Sequence, residues 1–433
     1  MRQIHICDPQ LFGLGGHYLN HDAQLIRELQ RRHLPVSLYA RRGCQVTCEG
    51  LTPTPVFSHD IFQESAADPE VWAMENFHAL NPAFLGDLRQ IAPERFTADD
   101  LVYFPNLLQN QLYAVAQWLD RIPAERRPAV AVMLRFLNHK MLYMQARAHA
   151  DLIPLYYRYA ARVLARVQPR SFLCADTREL AEAYRKITGQ PVLELPNPMD
   201  VSSQSGPAPS RAAADRPVIV YQGSTSSIRG FHLLPEIIER CVKMPERPRF
   251  VVQVQSAEAA RAMGLGPVID QLDRFAGDDL RLVRGALTAA DFHGLLAEAD
   301  IVLLPYGPDF YGHGSSGVFT ESASLGKVVV VPAGTMAARQ GREYGLGVVA
   351  AAKWTAPSLA EAVGDAVRRL PELRDRSAAA APRFRRENCA EAFWDQLLGA
   401  AFPNDRSAPH NSPIGPVVRL SEAPAPACAA SAA

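Results

Sequence analysis

A loop of small residues followed by a helix-forming segment is the strongest chemical signal in this 433-residue chain. The strand-like run Ile301 to Pro305 leads into the loop 314–317 (GSSG), and Val318 to Leu325 is predicted to be a helix. Small residues let backbone N–H groups approach a ligand closely, and a helix start carries partial positive charge. This arrangement suits a phosphate or a diphosphate, and Glu321 is placed to accept a hydrogen bond from a sugar hydroxyl on the same ligand.

The same segment also fits a simpler description. It reads equally well as an ordinary crossover loop between a strand and a helix, with Glu321 partly exposed on the helix surface. The loop alone does not separate these two interpretations, so the rest of the chain has to be considered.

The segment from Asp300 to Pro332 resembles the donor-sugar segment of retaining glycosyltransferases of the GT-B fold, the class called glycosyl transferases group 1. That class has an aspartate, a strand and a proline, then a glycine-containing loop, two glutamates with seven residues between them, a glycine and an apolar strand. The residues that fit this pattern are Asp300, Pro305, Ser316, Gly317, Glu321, Gly326 and Val329. The resemblance implies that Ser316, Gly317 and Val318 contact the donor and that Glu321 serves the reaction.

His313 stands where the class has its first glutamate. A neutral imidazole can hydrogen-bond a sugar hydroxyl and so replace that glutamate, or the side chain is simply solvated in the loop. The resemblance also places a polar group of the first domain near the sugar, where Arg135, Asn138 and His139 occur. The usual histidine–aspartate pair is absent there, and none of the three residues is preferred.

A second loop, Tyr221 to Gly230, resembles the G-R-x-x-x-x-K-G loop in which two cations hold the nucleotide diphosphate. Arg229 occupies the lysine position, and Ser224 replaces the arginine, so one of the two charges is missing. An arginine binds phosphate through two hydrogen bonds, which compensates in part. Alternatively, Arg229 is a surface residue in a chain whose usual cation is arginine.

Two further glycine-containing loops are weaker candidates. Gly285 and Leu287 follow a predicted strand, and the resemblance implies main-chain contacts with the nucleobase there. Gly15 and Gly16 match the glycine pair with which the first domain of the class approaches the donor, although they also fit a tight turn. Their spacing does not match the GxGxxG dinucleotide fingerprint, so NAD binding is not expected.

Strand-like and helix-like segments alternate along the chain and predict an α/β protein with parallel sheets. We expect a Rossmann-like domain over residues 1–198, a linker over 199–216, a second Rossmann-like domain over 217–402 and a disordered tail over 403–433. The stretch 43–100 shows no regular pattern and is expected to hold acceptor-facing loops. The GT-B resemblance places the ligand in a cleft between the domains and sends the last helix, Ala390 to Ala401, back to the first domain.

Composition narrows the function classes. Lys+Arg and Asp+Glu are both 45, so there is no electrostatic case for nucleic acid. The chain shows neither a signal-peptide core nor a run of about 20 apolar residues, and its seven cysteines form no framework, which together predict a cytoplasmic protein. No DxD spacing occurs at the paired aspartates, so we expect no metal and no cofactor beyond the nucleotide-sugar substrate.

The resemblance therefore implies a glycosyltransferase that moves a sugar, with retention, from a nucleotide diphosphate donor to a glycan or lipid-linked acceptor in polysaccharide or cell-surface glycan synthesis. Weak peripheral association with a membrane is compatible with such an acceptor. One alternative is a degenerate GT-B protein that binds a sugar nucleotide or glycan without transfer, which Ser224 and His313 favour. Another is a nucleotide-sugar epimerase of the same fold, for which the extra carboxylates expected at the cleft are missing.

Overall fold

The computed structural model of the chain describes residues 2–13, 17–62, 71–137, 152–199 and 216–404. Four of the residues considered above, Gly15, Gly16, Asn138 and His139, lie outside these ranges, as do most of the expected linker and tail. Each half of the chain forms one sheet of parallel strands covered by helices. The predicted α/β class with two Rossmann-like domains is confirmed.

The first half contains a seven-stranded sheet. Its strands are β1 (Ile4–Asp8), β2 (Val36–Arg41), β3 (Thr54–Phe57), β4 (Leu101–Phe104), β5 (Ala129–Met133), β6 (Ser171–Ala175) and β7 (Val192–Glu194). Its helices are α1 (His17–Arg31), α2 (Trp72–Leu88), α3 (Gln109–Leu119), α4 (Ile153–Val167) and α5 (Arg178–Thr188). The order across the sheet is β3-β2-β1-β4-β5-β6-β7. Strands β1, β4 and β5 are buried on both faces, which explains their almost unbroken apolar sequences.

The second half contains a six-stranded sheet. Its strands are β8 (Val218–Tyr221), β9 (Arg249–Val254), β10 (Leu280–Arg284), β11 (Ile301–Leu303), β12 (Val328–Pro332) and β13 (Val348–Ala351). Its helices are α6 (Leu234–Cys241), α7 (Ala257–Ala262), α8 (Gly266–Phe275), α9 (Ala289–Glu298), α10 (Pro308–Tyr311), α11 (Gly317–Ser324), α12 (Met336–Tyr344), α13 (Ala356–Arg368), α14 (Leu370–Glu387) and α15 (Ala390–Ala401). No helix in the described ranges is long and apolar enough to cross a membrane.

The strand order fixes where a ligand is expected. The second sheet runs β10-β9-β8-β11-β12-β13, so its connections reverse direction between β8 and β11. The first sheet reverses in the same way between β1 and β4. In open parallel sheets, ligands bind at the carboxyl ends of the strands beside such a reversal. The loop after β8 carries Arg229, and the loop after β11 leads into α11, the helix that carries Glu321.

The region 43–100 is more regular than its sequence indicates, because it contains β3 and α2. Helix α2 has Pro82 inside it and lacks a single apolar stripe, since it packs against both α3 and β3. A helix of this kind shows no clear 3.6-residue period. Strand β3 is short and carries Pro55, which an edge strand tolerates.

The last helix, α15, packs on the first domain, as the GT-B resemblance implies. Phe393, Trp394 and Leu397 are fully buried in the same apolar cluster as β1 and α1. The indole Nε1 of Trp394 donates to the carbonyl of Leu25 at 3.0 Å. The end of the second half of the chain therefore supplies core to the first domain.

We predict that Trp394→Ala destabilises the first domain by about 3–5 kcal/mol, because it removes a fully buried indole and its hydrogen bond. The free energy of unfolding, measured in urea, should fall by that amount. The half-exposed Gln396 lies on the same helix, and Gln396→Ala is the control. Equal stability of the two variants would show that α15 does not contribute to the first-domain core.

Candidate functional site

Arg229 lies in a short turn after β8 and is half-buried. Its Nε donates to the hydroxyl of Tyr311 at 2.9 Å, and its guanidinium carbon lies 5.5 Å from the centre of the Tyr306 ring. No carboxylate among the described residues forms an ion pair with it. A partly desolvated cation that contacts only a hydroxyl and an aromatic ring lacks a countercharge, so this position is complementary to an anion. Arg229 is therefore not a fully solvated surface arginine.

Gly230 lets the turn that holds Arg229 pack directly on the end of β11. Its φ is +69°, and a Cβ atom there would lie 1.9 Å from the carbonyl oxygen of Pro305. The Gly307 N–H also donates to the carbonyl of Ile228 at 2.8 Å. Only glycine allows this approach, which brings the loops after β8 and β11 together.

Gly223 marks the place where Arg229 meets the start of α11. A Cβ atom on Gly223 would lie 2.7 Å from Nη1 of Arg229 and 3.8 Å from Cγ2 of Val318. The Val318 side chain is buried in the core, so only its main chain is free to face a ligand. Ser316 caps the helix, since its Oγ accepts from the N–H of Phe319 at 3.2 Å. The guanidinium and the first helical turn thus present positive charge to one small region.

Glu321 is buried, with 6% of its surface exposed, and not partly exposed as the simpler interpretation of the loop requires. Its Oε2 lies 4.0 Å from Nε2 of His293 and has no hydrogen-bond partner among the described residues. Burial raises the pKa of this carboxyl to about 8. A buried carboxyl oxygen without a hydrogen-bond partner in the described part of the chain is a suitable acceptor for ligand hydroxyls.

Gln253 connects two of the predicted loops, and sequence reasoning missed it. Its side-chain oxygen accepts from the N–H of Gly223 at 2.9 Å, and its Nε2 donates to the carbonyl of Gly285 at 3.1 Å. Ser224 is close by, and its carbonyl accepts from Tyr221. Leu287 packs partly buried against the core. The sequence signal for Gln253 was available, because a single glutamine interrupts the apolar strand β9.

The loop that holds His313 also contacts the first domain. The hydroxyl of Thr177 donates to the carbonyl of His313 at 2.5 Å. Ser315 Oγ donates to Oδ2 of Asp176 at 2.6 Å, and Asn197 Nδ2 lies 3.4 Å from Ser315 Oγ. The loop between α10 and α11 is therefore held between both domains, and His313 lies at their interface.

Arg135 follows β5, although the sequence pattern predicts a strand as far as this residue. Its Nη1 contacts Asp176 at 2.9 Å, its Nη2 contacts His21 at 2.7 Å, and its Nε donates to the carbonyl of Pro105 at 2.9 Å. These partners engage all three nitrogens of the guanidinium. Arg135 therefore stabilises the first-domain edge of the cleft. Because its guanidinium is already engaged, it does not supply a second cation beside Arg229.

Two carboxyl groups, those of Asp8 and Asp22, are fully buried behind Arg135. Burial raises the pKa of Asp8 to about 6, and burial together with repulsion from Asp8 raises the pKa of Asp22 well above its usual value. Two adjacent buried carboxylates repel each other, so ionisation of one raises the pKa of the other.

We predict that burial of Glu321 makes the stability of the ligand-free protein depend on pH. Folding raises the pKa of Glu321 from 4.5 to about 8, so the folded state holds the proton more tightly than the unfolded state does. The resulting stabilisation of the folded state is complete below pH 4.5 and is lost as the pH rises through about 8. Glu321→Gln should flatten this decline and raise Tm above pH 8. The exposed Glu361 on α13 provides the control, Glu361→Gln. Tm profiles that run parallel for wild type and Glu321→Gln would refute the assignment.

The sequence matches no protein-family model and no curated protein. Solved structures do match it over nearly its whole length. Sucrose-phosphate synthase from Thermosynechococcus elongatus superposes with a TM-score of 0.61 at 14% identity, covering 91% of this chain and 96% of that one. Anabaena HepE, solved in complex with UDP and glucose, superposes with a TM-score of 0.57 at 15% identity, covering 92% and 98%.

A third matching structure is named for a different activity, epimerisation. A putative UDP-N-acetylglucosamine 2-epimerase from Listeria monocytogenes superposes with a TM-score of 0.57 at 14% identity, covering 94% of this chain and 98% of that one. Likeness at such low identity establishes architecture and leaves the reaction open. The chain therefore has the GT-B fold, two Rossmann-like domains with parallel sheets facing a cleft, which glycosyltransferases among its structural neighbours share.

Proposed function

We propose that this protein is a glycosyltransferase that takes a sugar from a nucleotide diphosphate donor. The observation that carries this proposal is the half-buried guanidinium of Arg229, which lacks a carboxylate partner among the described residues and lies beside the first turn of α11. A diphosphate is the anion that suits both groups, since arginine and helix N-termini each bind phosphate oxygens. The UDP complex of HepE, a structural neighbour, is consistent with this donor class.

In the proposed reaction, Arg229 and the N–H groups at the start of α11 stabilise the charge that develops on the leaving diphosphate. Glu321 holds the ribose side of the donor, and His313 holds the transferred sugar from the interface between the domains. We propose that no metal is required, because these groups supply the positive charge. We also propose retention of the anomeric configuration and an acceptor that is a glycan or a lipid-linked sugar.

Binding without transfer is the main alternative. Ser224 leaves one cation fewer than the class normally has, and Arg135 does not replace it because Asp176 and His21 already occupy its guanidinium. Epimerisation is a second alternative, because the Listeria structure that superposes on this chain is named as a putative epimerase. Against it, Asp176, the first-domain carboxylate that contacts the loop between α10 and α11, is engaged by Arg135 and Ser315. Release of free nucleoside diphosphate only when acceptor is present would distinguish transfer from both.

The cellular setting also belongs to the proposal. We propose a cytoplasmic enzyme of polysaccharide or cell-surface glycan synthesis, which meets a lipid-linked acceptor by weak peripheral contact with a membrane. This follows from the nucleotide-sugar donor, which is a cytoplasmic substrate class, and from the absence of a membrane-crossing helix in the described ranges.

Arg229→Ala should weaken binding of UDP roughly ten- to a hundredfold, because a charged hydrogen bond to phosphate contributes about 1.5–3 kcal/mol. Calorimetry measures the affinity directly. Arg240→Ala is the matched control, since Arg240 is exposed on α6 and paired with Glu236. An affinity that Arg229→Ala leaves unchanged would remove Arg229 from the site.

Glu321 and His313 should differ in their effects on the donor. Glu321→Ala is expected to weaken binding of both bare UDP and the sugar nucleotide, because the ribose loses its partner. His313→Ala should spare bare UDP and lower the transfer rate at least tenfold, because only the sugar loses a contact. A His313→Ala enzyme with full transfer activity would show that the loop histidine is structural.

The stereochemical outcome is a separate prediction. If the resemblance to retaining glycosyltransferases extends to mechanism, the product keeps the anomeric configuration of the donor. Proton NMR of the product gives the coupling constant of the anomeric proton in the new glycosidic bond, which does not mutarotate. An inverted product would rule out the retaining mechanism while leaving the donor site intact.

A further inference from the structure

Two exposed phenylalanines lie at the carboxyl edge of the first sheet. Phe12 follows β1 and is 50% exposed, and Phe62 follows β3 and is 41% exposed. Single exposed aromatic residues are common on protein surfaces, whereas a contiguous exposed apolar patch marks a binding surface. Between them lie Arg41, at the end of β2, and Asp60. We call these four residues, Phe12, Arg41, Asp60 and Phe62, the rim cluster.

The rim cluster has fixed polar groups between its rings. Arg41 Nη1 contacts Oδ2 of Asp60 at 3.2 Å, and the N–H of Phe62 donates to Oδ1 of Asp60 at 2.8 Å. The guanidinium carbon of Arg41 lies 5.0 Å from the centre of the Phe12 ring. Arg41 and Asp60 are each about one-third exposed, so both keep hydrogen-bonding atoms open to a ligand. Aromatic faces interleaved with oriented polar groups are suited to a polyhydroxylated ring.

A row of aromatic rings leads from this rim to the donor site. The ring of Phe62 lies 5.8 Å from that of Phe136, which lies 5.9 Å from Phe310 in the second domain. Phe310 in turn lies 5.0 Å from Tyr311, whose hydroxyl accepts from Arg229. The row therefore crosses the cleft and ends at the group that we assign to the diphosphate.

The inner end of the row also contacts the loop of His313. The N–H of Gly314 donates to the carbonyl of Phe310 at 3.2 Å, and a Cβ atom on Gly314 would lie 3.7 Å from Cε1 of the Phe310 ring. A ligand lying on the row from Phe62 inward would thus approach the place where the donor sugar is expected.

We propose that the acceptor is a carbohydrate chain that stacks on Phe62 and Phe12 and runs along the aromatic row toward His313. This inference rests on the proposed function and specifies its acceptor class. Sugar rings present apolar C–H faces to aromatic rings, and their hydroxyls bond to the guanidinium of Arg41 and the carboxylate of Asp60. The polymer or oligosaccharide itself, and not an attached lipid, then provides recognition.

The charges of the rim favour a sugar over a membrane surface. Arg41 is paired with Asp60, and the next residue, Arg42, is paired with Asp87 at 3.2 Å. Anionic membranes attract surfaces with surplus Lys and Arg beside exposed apolar groups. Here each of these arginines is balanced by a carboxylate, so the rim presents no surplus positive charge.

The test uses the full-length protein and a microarray of immobilised glycans covering hexoses, N-acetylhexosamines, deoxyhexoses and uronic acids, probed in the presence of UDP. The best glycan is then titrated in solution. Phe62→Ala and Phe12→Ala should each weaken glycan binding at least tenfold, because each removes a stacking face. Phe275→Ala is the matched control, since Phe275 is 39% exposed on the second domain.

Three results would overturn the inference: no glycan bound, glycan affinity unchanged in both rim variants, or rim-dependent binding to phosphatidylglycerol vesicles in place of glycans. Calorimetry with UDP separates this inference from the proposed function. A protein that binds UDP through Arg229 but gives one of these results keeps its donor site and loses the proposed acceptor site. A protein that binds neither UDP nor any other nucleoside diphosphate refutes the proposed function whatever the array shows.

Discussion

One arginine without a countercharge is the feature on which the candidate site in the second domain depends. The guanidinium of Arg229 contacts Tyr306 and Tyr311, with no carboxylate partner among the described residues. Partial loss of hydration without a countercharge is unfavourable for a cation, and a folded protein of marginal stability has little margin for such a cost. Two glycines with positive φ, Gly223 and Gly230, allow the backbone to form this turn. An anion bound beside Arg229 and the start of α11 would supply the missing countercharge.

The first domain completes this site through contacts that cross the cleft. Asp176 accepts a hydrogen bond from Ser315 and pairs with Arg135, so one carboxylate ties the donor loop to the edge of the first sheet. Thr177 holds the main chain at His313. These contacts join the loop between α10 and α11 to the first domain and place His313 at the interface of the two domains.

The sequence predicted much of the fold because buried parallel strands are continuous apolar runs separated by helices. It did not predict α2, whose Pro82 and several buried faces hide the helical period. Within the site, Arg229 and Glu321 could be predicted because the loops that carry them are contiguous in sequence. Contacts between Asp176 and Ser315 could not, since 139 residues separate them and only the packing of two domains brings them together. Gln253 is an intermediate case. A glutamine stands out in the apolar strand β9, but its partners, Gly223 and Gly285, depend on the order of the strands in the sheet.

In the proposed donor site, a nucleoside diphosphate neutralises the guanidinium of Arg229. A crystal structure of the protein soaked with UDP would show whether this is so. We expect phosphate oxygens within about 3 Å of the Arg229 guanidinium and of the N–H groups that begin α11, with a ribose hydroxyl bonded to Glu321. A nucleotide bound elsewhere, with Arg229 still bonded only to Tyr311, would contradict it.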